Sequence, residues 1–105
     1  MKVYIAGPYT KGDTAINVRE AILAGDQIYS MGFIPFIPHL IHFWHIVCPR
    51  PYEQWLKLDI EWLLVCDAVL RLPGDSSGAD AEVLLATNSG IPVYFGMEEF
   101  IKAHR

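Results

Sequence analysis

Two carboxylates stand out by the residues around them. The pattern Tyr52, Leu56, Asp59, Leu63 falls on one face of a helix predicted from about Tyr52 to Val65, with Trp55 and Trp62 beside it. A carboxylate inside an apolar stripe is costly unless it has a partner or a task. Asp59 is therefore read either as a partly exposed edge residue or one paired with a cation elsewhere, or as a ligand-binding or acid/base group whose pKa burial raises. The second carboxylate is Glu82. Ser77-Gly78-Ala79-Asp80 matches a capping box and places a helix start near Ser77. Glu82 then lies in the first turn or just beyond. There the helix dipole favours the ionised form, which suits a nucleophile or base. Ordinary acidic decoration of a helix start is the competing reading.

Other residues could hold a ligand. Ser76 and Ser77 lie between Gly74 and Gly78 just before that helix. Small residues in that place can cradle an anion with backbone amides and hydroxyls. The pattern is neither a Walker A loop, which ends Gly-Lys-Ser/Thr, nor G-x-G-x-x-G. Gly7-Pro8-Tyr9-Thr10 follows the first strand-like run. Gly7 admits a close ligand, and Tyr9 can stack on a base or bond to a sugar; a plain turn explains the same residues. His39, His42 and His45 recur every three residues, followed by Cys48. On a helix such a series drifts around the axis, which suits a metal poorly. A solvated or lid-lining role over a flat ligand is the preferred reading.

The elements that position these residues alternate. Val3–Ala6 reads as a buried strand ending at Gly7-Pro8. A helix is predicted from about Asp13 to Met31, capped by Asp13 or Thr14 and closed by Gly32. Phe33–Phe36 reads as a proline-limited edge strand. Residues 37–51 read as a loop with a short helical turn. After the Tyr52–Val65 helix come a strand at Ala68–Leu72, the small-residue loop Pro73–Gly78, a helix from about Ala79 to Asn88, a strand at Pro92–Phe95 and a short helix from Met97 to His104. This order predicts an α/β fold with a parallel sheet and helices on both faces. Ligands on such folds bind beyond the carboxyl ends of the strands, where the loops after the first and third strands lie.

Bulk properties agree. The 105 residues are one domain's worth, 1–105, with 52% hydrophobic and 19% charged residues. The net charge of −4 and the lack of a basic run weigh against a nucleic-acid polymer as partner. No apolar stretch is long enough for a bilayer. The two cysteines, Cys48 and Cys66, form no CxxC pair, and no signal peptide precedes the first strand. A reduced, cytoplasmic setting is expected. The apolar content of residues 37–51 predicts that this segment roofs a pocket or packs at a subunit interface.

Taken together, Val3-Tyr4-Ile5-Ala6-Gly7-Pro8-Tyr9-Thr10, the Asp59 helix, Cys66-Asp67-Ala68-Val69-Leu70 and Gly78-x-x-x-Glu82 resemble the nucleoside 2-deoxyribosyltransferase superfamily. That superfamily includes the small 2′-deoxynucleoside 5′-phosphate N-hydrolases and a branch of similar short proteins. The resemblance runs from Lys2 to about Tyr94. It implies a flavodoxin-like parallel sheet of four to five strands, a homo-oligomer, and cleavage or transfer at the N-glycosidic bond of a deoxynucleoside or deoxynucleotide. By resemblance Glu82 is the nucleophile that captures the anomeric carbon. Asp59, eight residues before Asp67, assists the leaving base or orients the sugar. Gly7, Tyr9, Ser76, Ser77 and Gly78 bind sugar and phosphate. Ser76, six residues before Glu82, stands where the phosphate-using hydrolases carry serine. Lys11 stands in for their first-loop arginine. The reading needs no metal or organic cofactor. A nucleotide-binding module of the same fold without turnover is the alternative.

Overall fold

The computed structural model describes all 105 residues. Four parallel strands, β1 (Lys2–Ala6), β2 (Ile34–Phe36), β3 (Ala68–Arg71) and β4 (Val93–Phe95), form one sheet in the order β2-β1-β3-β4. The helices are α1 (Thr14–Ser30), α2 (Ile41–Val47), α3 (Tyr52–Leu64), α4 (Ser77–Asn88) and α5 (Met97–His104). Pro35 lies on edge strand β2, where a missing N–H is tolerated.

The two central strands are apolar over Val3–Ala6 and Ala68–Leu70 because both of their faces are covered. Val3, Ile5 and Leu70 pack with Ala21, Ala24 and Ile28 of α1 and Phe100 of α5. Tyr4, Ala6 and Val69 pack on the other face with Leu63 of α3, Cys66, and Ala79 and Ala86 of α4. Asp13 caps α1 by accepting from the Ile16 amide, and Gly32 follows with a φ of +92°.

Residues 37–51 differ from expectation. They are mostly helical: a 3₁₀ turn at Pro38–Leu40 runs into α2. Pro38 starts the turn and no glycine or proline interrupts until Pro49, so the chain has nothing to break it. Helix α4 also begins earlier than Ala79, at Ser77, because Ser76 is its cap.

The chain reaches β2 and β4 in opposite directions from the central pair. The sheet therefore has a switch point between the carboxyl ends of β1 and β3. The loops that leave those two ends line the main cleft.

Candidate active site

The cleft has a volume of about 880 Å³ and is lined by five stretches of chain. Gly7 and Tyr9–Lys11 come from the loop after β1, and Asp75 and Ser76 from the loop after β3. Helix α3 contributes Tyr52, Trp55, Leu56 and Asp59, one helical face; α4 contributes Ser77, Gly78, Ala79 and Glu82. Pro38, His39, Ile41, His42 and His45 close it as a lid segment. All seven residues predicted for the site, Gly7, Tyr9, Asp59, Ser76, Ser77, Gly78 and Glu82, line this one cleft.

Glu82 faces the centre of the sheet. Its Oε2 accepts a short hydrogen bond from the hydroxyl of Tyr4, a fully buried residue of β1. Burial pushes the Glu82 carboxyl up to about 7, although the Tyr4 hydrogen bond and the Arg71 charge both pull it down. The expected dipole effect is overturned here. Glu82 is the sixth helical residue after the Ser76 cap, past the first turn where the dipole acts, and desolvation wins.

Burial likewise pushes Asp59 up to about 7, with the negative charge of Glu82 adding to it. Asp59 Oδ1 is buried and has no hydrogen-bond partner. No cation pairs with Asp59, so the cation-paired reading fails, while the residue as a whole is half-buried. Nor are the two pKa values pushed apart, as a split between acid and nucleophile leads one to expect. Both carboxyls leave water, so both move up. Two carboxyls raised in this way can divide the roles of acid and base, one protonated and the other ionised.

Tyr4 was not legible as a site residue. Its signal is a tyrosine in a buried aliphatic strand, whose hydroxyl must find a partner. Burial, then the charges of Glu82 and Asp59, keep this hydroxyl protonated by raising its pKa.

The capping box is also revised. Ser76, not Ser77, is the cap: its Oγ accepts from the Ala79 amide at 3.1 Å. Asp80 does not reach back to the cap; it pairs with Arg71 at 2.9 Å. The first helical hydrogen bond runs from the Asp80 amide to the Ser76 carbonyl at 3.0 Å, so the Ser77 and Gly78 amides lie ahead of the helical ladder. Lys11 and Asp75 form an ion pair at the exposed rim, and that hydrogen bond holds the Asp75 carboxyl below its ordinary range. Gly74 has a φ of +115°, and a Cβ there would sit 2.8 Å from Pro8 Cγ. The loops after β1 and β3 can pack this closely because position 74 has no side chain.

The three histidines fasten the lid, one tie per turn. His39 is buried and its Nε2 donates to the Pro8 carbonyl at 3.0 Å. Burial keeps it neutral by lowering its pKa. His42 Nδ1 lies 2.7 Å from the Tyr9 hydroxyl, and His45 Nδ1 accepts from Trp55 Nε1 at 2.8 Å. The expectation of a lid-lining role holds, but His39 is not solvated. No three His, Cys, Asp or Glu side chains gather where a metal could be held.

A family model described as a domain of unknown function, DUF4406, matches residues 1–95. The chain belongs to this DUF4406 family. No curated protein matches it. Solved structures show where the DUF4406 fold recurs. The chain is similar to a 2-deoxyribosyltransferase from the psychrotolerant bacterium Bacillus psychrosaccharolyticus, with a TM-score of 0.65 and 20% identity over 90% of this chain and 71% of that one. It is similar to a conserved protein from Enterococcus faecalis V583, with a TM-score of 0.69 and 18% identity over 98% of this chain and 72% of that one. It is also similar to a 2-desoxiribosyltransferase from Leishmania mexicana, with a TM-score of 0.66 and 17% identity over 90% of this chain and 62% of that one. At these identities the likeness establishes a common fold. No helix of the chain is long and apolar enough to cross a membrane.

Proposed function

We propose that this protein breaks or transfers the N-glycosidic bond of a deoxynucleoside or deoxynucleoside 5′-monophosphate, with Glu82 as the nucleophile. The observation that carries the reading is the placing of Glu82 and Asp59 on one cleft, where burial pushes each carboxyl up to about 7. Glycosidic cleavage passes through an oxocarbenium-like state. It needs one carboxylate to stabilise or capture the anomeric carbon and one acid to help the base leave. In this reading Glu82 carries the negative charge and attacks, while Asp59 holds the proton and gives it to the departing base. Tyr4 steadies the Glu82 carboxylate. The fold shared with two deoxyribosyltransferases supports the same chemistry.

Gly7 and Tyr9 then lie against the sugar and base. The Ser76 hydroxyl and the Ser77 and Gly78 amides form the anion-binding end of the cleft, which suits a 5′-phosphate. No cofactor enters these steps. The reading extends to a homo-oligomer, because α2 leaves Phe43, Trp44, Ile46 and Val47 exposed and a second copy can cover them.

Chromatography of free base tests the function. Deoxynucleosides and their 5′-monophosphates are offered with and without a second base as acceptor. Base release supports the reading, and exchange in the presence of acceptor identifies a transferase. A folded protein that releases no base from any donor contradicts it.

A further inference from the structure

Outside the carboxylate pair, Arg71 is a charged side chain buried against the sheet. Strand β3 alternates, so Arg71 lies on the same sheet face as Val69, beneath α3 and α4, opposite Ala6 in register. It is 8% exposed. A guanidinium so deeply placed is costly unless its donors are satisfied in a fixed geometry. Here they are. Nη1 donates to the Leu72 carbonyl, and Nη2 donates to the Gly74 carbonyl at 3.0 Å and to Asp80 Oδ1 at 2.9 Å. The Asp80 side chain is 70% exposed, so this pair is a poor source of stability. Its geometry has another consequence. One cation fastens both ends of the loop that carries Asp75 and Ser76: Leu72 and Gly74 on entry, and the first turn of α4 on exit.

We infer that Arg71 is a positioning residue for Glu82, fixing the loop after β3 and the start of α4 so that Glu82 keeps its hydrogen bond to Tyr4 and lines the cleft. The inference rests on the reading of Glu82 as the reacting carboxylate. The groups facing Glu82 are Tyr4 from β1, Asp59 from α3 and Arg71 from β3, with Lys11 and Asp75 at the rim. Of these, Tyr4 and Arg71 draw Glu82 toward ionisation, and Arg71 does so by charge.

Substrate-free protein suffices for the test. Arg71→Met and Arg71→Lys are titrated by carbon NMR of the Glu82 carboxyl, assigned through Glu82→Gln. Amide hydrogen exchange is followed over residues 75–79. Loss of the charge in Arg71→Met raises the Glu82 midpoint by about one pH unit, the lower end of what a nearby opposite charge supplies. Arg71→Lys keeps the charge and moves the midpoint less. An ammonium cannot reproduce the fork to two carbonyls and a carboxylate, so exchange over residues 75–79 speeds up about tenfold in this variant. Arg71→Lys decides the matter if Arg71→Met does not fold. A wild-type midpoint and wild-type exchange in the folded variants overturn the inference. Base release is assayed in parallel. NMR and exchange changes without base release by the wild type sink the proposed chemistry and leave the positioning role standing. Base release with no change in any Arg71 variant does the reverse.

Discussion

The Tyr4 hydroxyl donates to Glu82 Oε2 across 78 residues of sequence, joining the central strand β1 to the cleft-lining Glu82 of α4. The bond stabilises the carboxylate form of a group that burial would otherwise neutralise. Tyr4→Phe keeps the packing against Phe36 and removes the donor. The expected result is a higher Glu82 midpoint and base release slowed by about ten- to a hundredfold, the worth of one hydrogen bond to a charged group. Steady-state kinetics beside a carboxyl titration checks both.

The acid/base division predicts a pH profile. Glu82 must be ionised and Asp59 protonated, and both carboxyls titrate at about 7. The rate of base release is therefore bell-shaped with its maximum near pH 7. Asp59→Asn lowers the maximum and abolishes the fall on the alkaline side, because no acid remains to be deprotonated. A fall above pH 7 that survives in Asp59→Asn assigns that limb to another group.

Stability carries the opposite sign from the usual carboxylate. Unfolded carboxyls titrate near 4. Asp59 and Glu82 are raised to about 7 in the folded chain, so their protonated forms favour folding. That contribution is fully present below about pH 4 and is lost as the pH rises to about 7. Glu82→Gln removes the loss. Its Tm at pH 8 is expected to exceed the wild type by about 5 °C, and the gap closes toward pH 4. Calorimetry at the two pH values reads the difference.

Gly74 tests how tightly the loops after β1 and β3 are packed. A Cβ there meets Pro8 Cγ at 2.8 Å in a backbone region with φ of +115°. Gly74→Ala is expected to cost about 1–3 kcal/mol in urea unfolding. An unchanged midpoint means that the loops move apart without cost.

The architecture was legible because strand and helix patterns alternate without ambiguity. Val3–Ala6 and Ala68–Leu70 are apolar runs, as central parallel strands must be. The site residues were legible for a related reason: Asp59 interrupts an apolar helix face, and Ser76–Gly78 and Gly7 follow the two central strands. What was missed depends on contacts distant in sequence. Tyr4 reads as core until its hydroxyl is seen to meet Glu82, and Arg71 reads as the end of a strand until its three acceptors are seen. The Glu82 pKa went the wrong way because position along a helix says little about desolvation by the sheet beneath it. The lid's helical extent exceeds the short turn its sequence suggests because its prolines frame a helix instead of breaking one.

The central claim is that Glu82 forms a bond to the sugar. Rapid quenching of the protein with a deoxynucleoside or its 5′-monophosphate, followed by peptide mass spectrometry, tests it directly. The account predicts a deoxyribosyl group on the peptide that contains Glu82, absent from Glu82→Gln, together with loss of base release in that variant. Base release that persists undiminished in Glu82→Gln contradicts it.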